Sequence, residues 1–336
     1  MADLTTTTTP GPDTPTPSSG GGNRRGRRSG APAKLLPGVS RQKRLQAING
    51  AKPPNPVVRG VKGIVLFLCC AVVIIPFLAV ISTSLADQAQ ISAAGGYVLW
   101  PDNPSFYAYE AIFRGGVVTR ATLVSIGITL VGSGLSVTVV ALLAYSLSRP
   151  GTWGHKPILL LVLFTMLFNA GMIPNYLLIR QLGLIDSYWA LILPTLTSAF
   201  QIIIMRAFFL ETPKEIVEAA RIDGASELRI LVSIMLPLSK AAIAVIALFN
   251  AVTYWNAFFN AVLYINSTEK WPLQLVLRTY VVDNTAIGVD LPGDVVPPQQ
   301  SLQMAILVVS LVPICLVYPF LQKHFAKGVV IGAVKG

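Results

Sequence analysis

Charge is scarce in this sequence. Only 12% of its 336 residues are Asp, Glu, Lys or Arg, against 53% hydrophobic. A soluble domain of ordinary composition carries about 25% charged residues, so composition alone places the chain in the membrane class. There are two histidines and three cysteines, Cys69, Cys70 and Cys315. With no ligand spacing among them, no metal site and no disulfide framework is expected, and the cysteines read as small buried hydrophobes. No Gly-Lys dipeptide occurs anywhere, which removes the P-loop that would cradle nucleotide phosphates. The long apolar runs hold no Asp or Glu, so nothing in them could relay a proton, which argues against an ion-driven carrier.

What the sequence does have is long apolar runs. Six stand out, at 63–85, 121–147, 157–179, 188–210, 241–265 and 302–321. Each has about 20 residues or more, enough at ~1.5 Å per residue to cross a hydrocarbon core of about 30 Å as a helix. Their one charge is Arg206, near the end of the fourth, where a long side chain snorkels to the interface. The first run begins too far into the chain, and is too long, for the core of a cleaved signal. Gly127, Gly132 and Gly134 in the second run are expected to let a neighbouring helix approach closely.

Lysine and arginine set the orientation. Eleven precede the first run, opposed only by Asp3 and Asp13, which puts the N-terminus in the cytoplasm. Alternation then leaves twenty-one of the 26 basic residues inside. Five lie outside (Arg114, Arg120, Arg180, Lys270 and Arg278) with eight acids. Six spans with both termini cytoplasmic satisfy the whole set. The net charge of +11 is thus a topology signal. Its rival, nucleic-acid binding, would rest on the basic cluster at 24–28. That cluster lies in a tail, 1–60, rich in Thr, Pro, Gly and Ser, which is expected to be disordered and drawn to anionic lipid instead. External loops are expected at 86–120 and 266–301, with a basic cytoplasmic tail at 322–336. In the first of these loops Tyr97, Trp100, Phe106, Tyr107 and Tyr109 suit the headgroup level.

The segment 211–237 is charge-rich, with Glu211, Glu215, Glu218, Asp223 and Glu227 against Lys214, Arg221 and Arg229. That density excludes it from the bilayer core. Its pattern still predicts helix. Thr212 suits the cap, Pro213 the first position, and Glu215 completes a capping box. Gly224 permits a sharp turn, Ser226 opens a second helix, and Pro237 marks a bend before the fifth run. A short helix–turn–helix on the membrane surface follows, presenting small Ala219 and Ala220. A plain amphipathic interfacial loop is the alternative.

The run Glu218-Ala219-Ala220, with Asp223-Gly224-Ala225, Ile234 and Leu236-Pro237, resembles the EAA loop of binding-protein-dependent ABC importer permeases. The segments 172–194, 247–265 and 327–336 are similar to the carbohydrate-uptake branch, in its lipoprotein/polysaccharide-type subgroup. The likeness covers position 63 to the end. Two departures are Ile230-Leu231, where relatives often carry Phe, and Ala241, where they often carry Pro. The resemblance implies an all-α membrane protein of six transmembrane helices with the MetI-like type I permease fold. It implies a heterodimer with a second permease, two ATPase subunits that bind the ATP, and an extracytoplasmic solute-binding protein. No cofactor is expected on this chain, and no enzymatic activity. Glu218, Ala219, Ala220, Asp223 and Gly224 are then at or near the ATPase contact, with Ile234, Leu236 and Pro237 joining that loop to the core. The implied cargo is a carbohydrate, an oligosaccharide; an amino acid or glycerol phosphate in the same machine is the alternative.

In the fifth run Asn250, Thr253, Asn256 and Asn260 fall within about 120° of one another on a continuous helix. Amides and hydroxyls suit neutral hydroxylated ligands. Two readings stand for this face: a sugar path, or hydrogen bonding to the partner permease. Asn169 and Asn175 in the third run are weaker candidates for the same path.

Overall fold

The computed structural model describes residues 56–114, 116–149, 151, 153–282 and 298–333, with backbone alone at Tyr318 and from 320 onward. The tail expected over 1–60 lies outside the described residues up to 55. So do Asp283, Asp290 and Asp294 of the last outer loop, and the final three residues.

Regular structure among the described residues is helical throughout. In chain order the helices are α1 Pro56–Ser84, α2 Gln88–Ala93, α3 Tyr107–Arg114, α4 Val117–Ser148, α5 His155–Leu167 and α6 Met172–Gln181. Then come α7 Trp189–Ile192, α8 Ala199–Leu210, α9 Lys214–Ile222, α10 Glu227–Ile230 and α11 Leu236–Leu238. The series ends with α12 Lys240–Trp255, α13 Phe259–Tyr264, α14 Leu273–Val281 and α15 Gln299–Ala333. By packing, the chain divides between Val65 and Leu66. Residues 56–65 are helical and exposed; every contact described below lies in the second unit.

Among the described residues three helices, Pro56–Ser84, Val117–Ser148 and Gln299–Val317, are long and apolar enough to cross a membrane unbroken. The other three runs differ from the expected single rods. At 157–179 the chain makes two helices, α5 and α6, bent by 119°. The cause is local. Asn169 Oδ1 accepts the Gly171 N–H at 2.9 Å, Gly171 adopts φ 85° and ψ 178°, a region open essentially to glycine, and Pro174 needs no hydrogen-bond partner in the first turn of α6. The run at 188–210 is bent by 55° between Trp189–Thr195 and α8. The run at 241–265 is entered through an 85° bend and is interrupted again at 256–258, before α13. The last helix continues to Ala333, past the end expected at 321.

The cysteines are also a correction. Cys69, Cys70 and Cys315 are exposed, because α1 and the middle of α15 turn apolar faces outward, as helices against hydrocarbon do.

The core is organised by α4 against α12. Tyr254 is 2% exposed. A Cβ placed on Gly132 would stand 2.8 Å from its ring, so only glycine admits it. The phenol oxygen meets Ser136 Oγ at 2.9 Å and donates to the Ile192 carbonyl at 3.2 Å. Among the three glycines expected to aid packing, Gly132 alone does so; Gly127 and Gly134 face open space. Trp255 Nε1 donates to the Ser310 carbonyl at 3.1 Å and joins the same helix to α15. Arg206 does not simply reach outward: its Nε donates to the Leu147 carbonyl at 2.8 Å, satisfying an orphan group at the end of α4.

Asp186 closes the opposite end of the bundle. Its backbone sits at φ 62°, a conformation Asp tolerates better than most residues, and its N–H donates to the Tyr264 carbonyl at 2.7 Å. One carboxylate oxygen accepts the N–H groups of Asn266 at 3.0 Å and Ser267 at 2.9 Å. The other accepts Ser267 Oγ at 2.6 Å and Lys270 Nζ at 2.7 Å. Lys270, then the Ser267 donors, hold the Asp186 carboxyl far below the usual carboxylate range.

Two outcomes follow from these contacts. Gly132→Val costs about 1–3 kcal/mol by overpacking and lowers the thermal midpoint of the detergent-purified subunit, whereas Gly127→Val leaves it in place. A carboxyl depressed in the folded state adds stability above its unfolded pKa of about 4 and loses it as pH falls toward the folded value. Asp186→Asn, which keeps the backbone conformation accessible, therefore melts earlier at neutral pH, and its gap from the parent narrows progressively in melts below about pH 4.

Candidate functional site: the loop between α8 and α12

Helix α9 begins at Lys214, with Pro213 at its cap and no side-chain cap hydrogen bond. Thr212 and Glu215 therefore do not form the expected capping box; proline's fixed φ starts the helix instead. The helix is amphipathic. Val217 is buried, and Ala220 packs beside it on the cluster built from Val140, Ala144, Met205, Phe209 and Ile230. Glu218, Ala219, Ile222 and Asp223 are exposed. Ile222 is 87% exposed, an apolar side chain at the tip of a charged loop.

The helix ends as the sequence expects. Gly224 takes φ 78°, its N–H donates to Arg221 at 3.0 Å, and the Ala225 N–H donates to Ala220 at 2.9 Å. That pair of bonds is a Schellman motif, which wants glycine at this position. Ser226 caps α10, its Oγ accepting the Arg229 N–H at 3.4 Å. A π-helical turn, Leu231–Met235, follows and buries Leu231 and Met235. Ile234 and Leu236 are half-buried and Pro237 is exposed. The 85° bend lies between Glu227–Leu238 and Lys240–Trp255, at Ser239 rather than at Pro237, two residues earlier.

A polar connection that the sequence reading did not include ties this loop to the end of α4. Tyr145 Oη donates to Glu227 Oε2. Arg221 Nε donates to the other oxygen at 2.9 Å, and a second guanidinium nitrogen stands 2.7 Å from it. Arg149 donates to Tyr145 Oη at 3.0 Å and lies over its ring, 4.6 Å from the centroid. Tyr145 meets Phe209 edge-on at 6.1 Å. The Tyr145 hydrogen bond, aided by Arg221 and opposed by partial burial, holds the Glu227 carboxyl below its ordinary range. Tyr145 and Arg149 are one helical turn apart, a spacing visible in sequence; Glu227 is 82 residues away, and nothing local announces it. A cleft of about 670 Å³ opens beside this network, lined by Arg149, Lys214, Glu218, Arg221 and Glu227 among others.

The path candidates on the fifth run separate. Asn250 is 3% exposed and forms a reciprocal amide pair with Gln201 of α8, at 3.3 and 3.1 Å. It also donates to the Ile246 carbonyl at 2.9 Å. Thr253 and Asn256 are exposed and bond to their own helix, at Phe249 (2.8 Å) and Val252 (2.8 Å). Asn260 is half-buried and stands on α13, beyond the break, so the single 120° face does not extend to it. Asn175 is exposed on α6 and Asn169 at the turn before it. Among the described residues no cluster of three His, Cys, Asp or Glu could hold a metal.

The description "Binding-protein-dependent transport system inner membrane component" matches residues 61–331. The chain is 44% identical to the polygalacturonan/rhamnogalacturonan transport system permease protein YtcP of Bacillus subtilis, over 81% of this chain and 96% of that one. It is 46% identical to protein LplC of the same organism, over 79% and 90%. A solved bacterial ABC transporter involved in the import of the acidic polysaccharide alginate contains a chain that superposes with a TM-score of 0.72 at 31% identity, over 86% of this chain and 100% of that one. With its apolar helices and its charged loop outside them, this chain belongs to the family of inner-membrane components of binding-protein-dependent transport systems.

Proposed function

We propose that this chain is a carbohydrate-import permease of an ATP-driven ABC importer, crossing the membrane six times with both termini in the cytoplasm. A second permease completes the pore, two ATPase subunits bind and hydrolyse the ATP, and an extracytoplasmic binding protein delivers an oligosaccharide. The names of its relatives support the carbohydrate class: one is a polygalacturonan/rhamnogalacturonan permease and the solved importer takes alginate. The permease itself carries no nucleotide site or cofactor; its part is to form the path and respond to the ATPase.

The observation that carries the coupling role is the construction of the loop. Glu218, Ala219, Ile222 and Asp223 are presented outward, while Val217, Ile230, Leu231 and Met235 lock the same loop into the core. A push on the exposed side therefore passes to α4 through Tyr145–Glu227 and to α12 through the bend at Ser239. When ATP closes the ATPase pair, the loop moves as one body and the helices reorient to take sugar outside and release it inside. Thr253 and Asn256, exposed on the same side of α12 as Phe249 and Val252, line the path in this reading. Polar groups at membrane depth face a protein interior or water. Asn250, paired with Gln201, holds helices together.

Gly224→Val forces a β-branched side chain into φ 78°, and Glu227→Ala removes the tie to Tyr145. Each variant is expected to lower uptake of a labelled oligosaccharide mixture about tenfold or more, on the scale of one charge-assisted contact. The complete complex should still assemble by size-exclusion chromatography. Unchanged uptake in both would remove the coupling role.

A further inference from the structure

The cleft of about 670 Å³ beside the Tyr145–Glu227 contact lies where three elements end. Helix α4 stops at Ser148, α8 stops at Leu210 and α9 begins at Lys214, and all three of these residues line the cleft. The spans are apolar up to this level, and the loop beyond is too charged for the bilayer core. The cleft therefore sits at the height of the lipid headgroups. Its volume falls within the range of ligand sites, about 300–1,000 Å³.

The charge around it is not balanced from within. Its charged side chains are Arg149, Lys214, Glu218, Arg221 and Glu227. Arg221 and Glu227 neutralise each other at 2.7 Å, which leaves Arg149 and Lys214 against Glu218. Neither cation has an ion-pair partner among the described residues. Arg149 is held by Tyr145, whose ring it covers at 4.6 Å and whose Oη accepts from it at 3.0 Å. Its Nε is closed to water and meets no acceptor. Helix α9, nine residues long, starts at the same cleft with no side-chain cap on its first turn, so its dipole adds positive potential there.

A guanidinium fork and a nearby ammonium suit the oxygens of a phosphate. What carries the phosphate follows from the wall above it. Ser146 lines the cleft, and Leu142, Leu135 and Val131 continue its face of α4 at steps of four, seven and four residues, spacings that keep one side of a helix. They are 46%, 37% and 49% exposed, an apolar track leading from the cleft into the depth of the acyl chains. Basic pockets between transmembrane helices take anionic headgroups in this way, and a zwitterionic headgroup brings no net charge to balance the cations. We infer that the cleft binds an anionic phospholipid, with its phosphate at Arg149 and Lys214 and an acyl chain along Leu142, Leu135 and Val131. A lipid so placed bridges the end of α4 to the start of α9. The inference does not depend on which solute the importer carries.

The test reconstitutes the complete importer in nanodiscs of equal parts phosphatidylglycerol and phosphatidylcholine, then counts the lipids it retains by native mass spectrometry. The parent is expected to retain phosphatidylglycerol in preference. Arg149→Gln and Lys214→Gln should each lower that retention about tenfold, the scale of one charge-assisted hydrogen bond. Arg149→Lys should keep part of it, since charge stays and the fork is lost. Leu142→Ser should weaken it through the chain, and Arg120→Gln, near the other end of α4, should leave it unchanged. Lys214 is exposed and makes no ion pair, so its variant decides the matter if Arg149→Gln fails to assemble. A parent without lipid preference overturns the inference, as does unchanged retention in the Lys214 variant. Displacement of the lipid by glycerol 3-phosphate, with no effect of Leu142→Ser, would make the cleft a site for soluble phosphate esters. A Lys214 variant that keeps its lipid but sheds the ATPase subunits would make it a seat for an ATPase carboxylate. Either of these results also overturns the lipid assignment.

Discussion

The fold depends on one close approach. Gly132 offers α4 a notch with no side chain, and the Tyr254 ring of α12 fills it. In hydrocarbon there is no hydrophobic force to press helices together, so contact at van der Waals distance and interhelical hydrogen bonds must hold them. Tyr254 supplies both. Its ring packs against the α4 backbone, and its hydroxyl joins Ser136 of α4 to the Ile192 carbonyl of α7. Three helices thus share one buried oxygen. Asn250, one turn earlier on α12, repeats the device toward α8 through the Gln201 amide. These polar pairs are fully satisfied, which is what makes them specifying rather than costly.

One end of this pairing is where the loop between α8 and α12 attaches. Its apolar residues join the same cluster as the last turns of α4, and its one strong polar tie, Glu227 to Tyr145, lands on α4 as well. The helix that organises the bundle is therefore also the helix that feels the loop. At the other end, Asp186 fixes the turn before α7 to the turn after α13. The long α4–α12 pair is consequently bracketed by a packed loop on one side and a carboxylate clamp on the other.

Much of this was legible in the sequence. The apolar runs, the loop and its internal punctuation at Gly224 and Ser226 all follow from local rules, and the structure carries them out bond by bond. What escaped has a common cause. Hydropathy counts apolar residues but says nothing of direction, so the reversal at Asn169–Gly171 and the break at 256–258 looked like continuous helix. The capping box at Thr212 lost to the proline beside it, a competition between two local rules that spacing alone does not rank. Tyr145–Glu227, Asn250–Gln201 and Asp186–Lys270 join residues 82, 49 and 84 positions apart, and only the tertiary fold brings such partners together. Gly132 and its neighbours Gly127 and Gly134 are indistinguishable by composition; which one meets a tyrosine is a property of helix rotation.

Residues 66–84 of α1 give this architecture a last consequence. They are exposed or nearly so until Ser82, Thr83 and Ser84. There three hydroxyls moor the helix to the Val98 and Leu99 backbone and to Tyr109. None of the larger buried clusters draws a residue from it. The first helix is an appendix to a core whose larger buried clusters close without it. Its apolar surface is left for lipid or a neighbouring chain to cover, and its hold on the rest of the fold is concentrated in those three hydroxyls.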